Sequence, residues 1–126
     1  MGPRLTELAI LINARHWTSN WVWTSHAPAA AKAGLKQAII TAIAEGRRPE
    51  GMAEDEAIVY DVCAELESNR SVSDATYARA LAAFGEPGVV EIATIEGYYT
   101  YIAMVANVAR VGAQPNATPP LERFPR

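Results

Sequence analysis

Between Pro87 and Val111 the chain carries Val89, Val90, Ile92, Ile95, Tyr98, Tyr99, Ile102, Met104, Val105 and Val108. At the pitch of an α-helix these side chains cannot share one side, and a helix apolar nearly all round needs cover on more than one face. A bilayer is one such cover. However, Glu91, Thr94, Glu96, Thr100 and Asn107 interrupt the run, which leaves no clean span of about 20 apolar residues. The expectation is a helix buried on one side by its own domain and on the other by a second subunit. Gly97 costs roughly 1 kcal/mol in mid-helix against alanine, which predicts a close packing contact there.

The rest of the chain also reads as helix. Pro3 to Arg15 places Leu5, Leu8, Ala9, Leu11 and Ile12 near the helical period, with Pro3 suited to a first helical position. A short connection leads to a second helix that Thr18, Ser19 or Asn20 can cap and that ends near Gly34, with Pro28 expected to kink it or shift its start. Leu35 to Glu45 follows, stopped by Gly46, and then the exposed turn from Gly46 to Gly51. Met52 to Asn69 predicts an amphipathic helix with an acidic outer face. Ser73 caps the next helix, which ends at Gly85, and Pro87 opens the last one. No stretch alternates with period two for long enough to make a strand. The fold class is therefore all-α, a bundle of about six helices over residues 1–111, followed by an extended Pro-rich tail over 112–126. Leu121 and Phe124 predict that the tail docks on something, a neighbouring subunit being one candidate.

Size and charge narrow the function classes. With 126 residues the chain is expected to form one domain. A net charge of −3 argues against a nucleic-acid partner, which needs a basic footprint. The single cysteine, Cys63, excludes an internal disulfide framework and fits a reducing compartment as a buried structural thiol. The first residues carry no signal pattern, so a cytoplasmic protein without membrane partners is expected. Two histidines and scattered acids lack metal-ligand spacing, so neither a metal nor another cofactor is expected.

The stretch from Trp17 to Gly34 concentrates the residues with chemistry in them: all three tryptophans and one of the two histidines. Ser19, Val22 and His26 fall on one helical face. His26 carries an imidazole, a side chain suited to proton transfer, and Glu7 on the preceding helix lies roughly as far from the shared turn as His26 does. The two could meet across the hairpin, with the acid fixing the imidazole or shuttling a proton itself. The plainer readings stand beside this one. His26 can be a satisfied core histidine, Glu7 a dipole-stabilising acid, and Trp17, Trp21, Trp23, Tyr98 and Tyr99 packing residues. His16 reads as a helix-closing residue, and Arg47 and Arg48 as a solvated loop.

Leu5-Thr-Glu-Leu-Ala-Ile-Leu, Ser19-Asn-Trp-Val-Trp-Thr-Ser-His26 and Gly34-Leu35 together resemble the carboxymuconolactone decarboxylase family, which includes the alkylhydroperoxidase D-like proteins. The resemblance extends to Ser73-Asp-Ala-Thr-Tyr, Gly97-Tyr-Tyr-Thr and Asn107, and so covers roughly residues 4–111. The peroxidase branch carries a glutamate, a Cys-x-x-Cys pair and a histidine. At the matching positions this chain has Glu7, Ser19, Val22 and His26. Peroxide reduction needs an attacking thiolate and a resolving thiol, and neither is present, so peroxidase activity is disfavoured. The decarboxylase branch resembles Glu-Trp-x-x-His, which Trp23 and His26 fit, with Val22 standing where a carboxylate is usual.

The resemblance implies a cofactor-free acid–base enzyme that removes carboxylate from a γ-lactone acid or a related aromatic ring-cleavage product. It implies Glu7 and His26 as the catalytic pair, a substrate pocket drawn from Ser19, Trp21, Val22, Trp23, Tyr98 and Tyr99, and a homo-oligomer, trimer or hexamer. The alternative is a non-catalytic oligomeric binding or scaffold protein of the same fold.

Overall fold

A computed structural model describes residues 1–123. It is all-helical: α1 (Pro3–Trp17), α2 (Asn20–Lys32), α3 (Gln37–Ala44), α4 (Glu54–Asn69) and α5 (Asp74–Val108), with no strand among the described residues. There are five helices rather than six because the two expected on either side of Gly85 are joined. Gly85 has φ 68° and ψ 177°, a conformation glycine reaches without steric cost, and the chain resumes its helix at once. The break falls where the sequence puts it, and α5 is two helical stretches run together across the kink at Gly85. Ser73 caps α5 as expected, its Oγ accepting from the Thr76 N–H at 3.2 Å.

α1 is the central element and packs against each of the other four helices. Its residues from Leu8 to Arg15 are buried, and Leu8, Leu11 and Ala14 are shut off from solvent completely. Thr18, in the left-handed region at φ 47°, ends α1 and turns the chain directly into α2. Arg4 forms ion pairs with Asp55 and Glu56, tying the start of α1 to the start of α4. Glu56 is buried by that pairing, so the expected acidic outer face of α4 is only partly outward.

α2 continues through Pro28, from Asn20 to Lys32. A proline has no N–H to give to the carbonyl four residues earlier, here that of Thr24. The tail supplies the missing donor: Asn116 Nδ2 donates to the Thr24 carbonyl at 3.0 Å, and the Gln114 N–H donates to Thr24 Oγ1 at 2.9 Å. Further along, the Leu121 N–H donates to Asn20 Oδ1, Arg15 donates to the Glu122 carbonyl, and Leu121 is buried in the core. The tail therefore docks on its own α1 and α2. Phe124, the other expected anchor, lies outside the described residues.

The long α5 leaves Val90, Tyr98, Tyr101, Met104, Val105 and Val108 exposed, while Ile92, Ala103 and Ala106 face the core. Within the chain Gly97 does not make the close contact expected of it: a Cβ there would meet nothing within 4 Å. Gly88 is the position where a side chain does not fit, because a Cβ would stand 2.3 Å from the Phe84 Cβ.

Candidate acid–base site

Glu7 and His26 meet across the α1–α2 hairpin, with His26 Nδ1 2.7 Å from Glu7 Oε2. A carboxylate oxygen can only accept, so Nδ1 carries the hydrogen and donates it. This leaves Nε2 as the nitrogen with a lone pair to offer. The imidazole is neither sealed in nor fully solvated: 23% of the His26 side chain and 18% of the Glu7 side chain remain exposed. Proton transfer to a bound molecule needs that balance, a ring held by its partner yet reachable.

α5 adds two aromatic residues. Tyr99 stands edge-on to the His26 ring, with centroids 5.4 Å apart and planes at 81°, and Tyr98 stands edge-on to Tyr99 at 5.1 Å. Edge-to-face packing of this kind fixes ring orientation. Burial raises the Tyr99 hydroxyl pKa above its ordinary value, and the nearby charge of Glu7 and the Tyr98 phenol raise it further. The phenol therefore stays a neutral donor at physiological pH.

The other expected pocket residues are placed differently. Ser19 and Val22 share the helical face of His26 but are buried, and Ser19 Oγ has no hydrogen-bond partner. Although Ser19 sits at the N-cap position of α2, its side chain does not cap the helix. Trp23 is part of the hydrophobic core. Trp21, five residues before His26, is turned about 140° away around the helix axis and is exposed. The site that forms is thus Glu7, His26, Tyr99 and Tyr98, while Val22 and Trp23 belong to the core.

Cys63 is buried and free, and burial together with the charges of Glu96 and Glu67 raises its thiol pKa well above the usual range. A thiol held protonated is a poor nucleophile. Among the described residues no group of three or more His, Cys, Asp or Glu side chains is placed to hold a metal ion, and no helix is long and apolar enough to cross a membrane.

Sequence reasoning missed a second ionisable group. Glu67 on α4 and Glu96 on α5 turn inward together, with His16 Nδ1 3.6 Å from Glu67 Oε2. Burial and the neighbouring Glu96 push the Glu67 pKa up to about 10, and burial raises that of Glu96 as well. The one available signal was Glu96 itself, an acid inside the most apolar stretch of the chain. Comparison of the chain with protein-family models, with curated proteins and with solved structures yields no match.

Proposed function

We propose that this protein is a cofactor-free acid–base enzyme, a decarboxylase or isomerase of the carboxymuconolactone decarboxylase type, acting on a small carboxylated lactone or an aromatic ring-cleavage product. The observation that carries the proposal is the 2.7 Å contact between Glu7 and a partly exposed His26. In the decarboxylation the C–C bond to the carboxylate breaks, carbon dioxide leaves, and the electron pair passes into a dienolate. Nε2 of His26 takes up a proton from solvent and delivers it to the dienolate at carbon, which returns the ring to its neutral form, while Glu7 stabilises the transiently charged ring through Nδ1. Tyr98 and Tyr99 supply flat walls for a planar substrate.

The test is turnover of a γ-carboxylated muconolactone by the full chain. His26→Gln is expected to lower kcat by about 10²- to 10⁴-fold with the helical circular dichroism unchanged. Turnover equal to wild type would remove the dyad from the mechanism.

A second reading, an oligomer of the same fold that binds without turnover, is favoured by the exposed apolar side chains of α5 from Val90 to Val108. A trimer or hexamer covering that stripe fits either reading, and sedimentation of wild type against Val105→Glu tests it. Hydroperoxide consumption with a thiol reductant is expected to be absent, since Cys63 has no second cysteine to resolve it.

A further inference from the structure

A cleft of about 830 Å³ opens where the ends of α1 and α5 meet the tail, lined by His16, Trp17, Asn107, Arg110, Leu121 and Arg123 among others. It shares no residue with the Glu7–His26 dyad or its tyrosine rings and is independent of the reaction proposed for them. Its size suits a small organic ligand.

Charge sets this cleft apart. The chain carries a net charge of −3, yet the lining holds two arginines and no acidic residue. Elsewhere Arg4, Arg47, Arg48 and Arg79 each stand against a carboxylate. No carboxylate among the described residues comes within ion-pair distance of Arg110 or Arg123. Arg110 Nη1 donates to the Asn107 carbonyl at 3.2 Å, and both arginines are exposed, open to a ligand as well as to water.

One exposed arginine is only a solvated charge. Here two come from different elements, the end of α5 and the tail, and face one hollow. The backbone takes part in the placement. Arg110 lies in the left-handed region at φ 61°, which costs free energy for an L side chain, and Thr18, at φ 47°, lines the same cleft. The carbonyls that end α1 and α5 would repel an anion, but they are occupied. Asn107 Nδ2 donates to the Trp17 carbonyl at 3.1 Å, the Val111 N–H donates to the Ala106 carbonyl at 2.9 Å, and Arg110 covers the carbonyl of Asn107.

We propose that this cleft binds an organic phosphate monoester with a flat apolar body. Each guanidinium donates a fork of two N–H bonds to the phosphate, whose three terminal oxygens can accept from both, and the body lies against the Trp17 indole. A single carboxylate has two oxygens, and one such fork engages both.

The experiment titrates the full chain with phenyl phosphate at fixed ionic strength and about pH 7.5, where the phosphate is close to a dianion. Inorganic phosphate, benzoate and phenol are titrated separately. Calorimetry gives the affinities, and the NMR signal of the Trp17 indole N–H, which donates to Thr100 Oγ1, reports the location. Phenyl phosphate is expected to bind saturably, to shift that signal, and to bind at least about tenfold tighter than each of the other three. Arg110→Gln and Arg123→Gln, both at exposed positions, are each expected to weaken it about tenfold, and the double variant to abolish it. Arg47→Gln removes the same charge from the exposed loop after α3 and is expected to leave binding unchanged. Absence of saturable binding overturns the proposal. So does affinity for inorganic phosphate, benzoate or phenol equal to that for phenyl phosphate, or a loss in Arg47→Gln as large as in Arg110→Gln.

Discussion

The contact between His26 Nδ1 and Glu7 Oε2 selects one ring nitrogen for chemistry and holds the ring still. Glu7→Gln keeps the side chain's length but removes its charge, so an imidazolium formed during turnover loses its counter-ion. The expected result is a fall in kcat of about ten- to a hundredfold, smaller than for His26→Gln, measured on the same lactone. Cys63 sets a contrasting expectation at the same scale. Its thiol is buried and disfavours ionisation, so a thiol-reactive dye is expected to label the native protein slowly, at the rate of global opening, and to label it fully in denaturant. Rapid native labelling would show that α4 opens far more readily than its burial suggests.

For the elements, two glycines of α5 divide cleanly. Gly88→Ala drives a methyl into Phe84 and is expected to cost about 1–3 kcal/mol through overpacking. Gly97→Ala adds a methyl that meets nothing and removes a flexible residue from a helix interior, so it is expected to gain about 1 kcal/mol. Urea denaturation of both variants checks the pair, and a loss in Gly97→Ala would mean a neighbour covers that position. The sequence assigns the packing contact to Gly97 and passes over Gly88. Both are glycines in an apolar helix, and only the path of the backbone past Phe84 distinguishes them. Helix identity and the α1–α2 hairpin were legible because Pro, Gly and Ser punctuate the chain and because Glu7 and His26 are similarly spaced from one turn. The inward turn of Glu67 was not. An acid at the end of an amphipathic pattern reads as outward, and only the partner element α5, carrying Glu96, pulls that reading over. The tail's course was hidden for a similar reason, since what it binds is a backbone carbonyl, and carbonyls leave no mark in a sequence.

Taken whole, the molecule carries a liability in its buried acids. In the unfolded chain Glu67 ionises near pH 4.5, whereas in the folded protein it keeps its proton up to about pH 10. The folded state therefore binds the extra proton across that window, and stability is greatest on the acid side and falls as pH rises through it. Melting temperature is expected to drop between pH 6 and pH 9. Glu67→Gln is expected to flatten that slope and to gain on the order of 1–3 kcal/mol at pH 9, where wild type must hold a buried carboxyl against its tendency to ionise. An unchanged slope would mean water reaches the pair.

One further property follows from the clasp at Thr24. The regularity of α2 around Pro28 is completed by a residue 92 positions downstream, so this stretch cannot finish forming until nearly the whole chain has been made and folded back. The tail is held by a few hydrogen bonds and the buried Leu121, so hydrogen exchange is expected to show it opening before the core helices. A protease cutting just after Gly112 would leave the core helices in place but give the His26-bearing helix a looser grip on its neighbours.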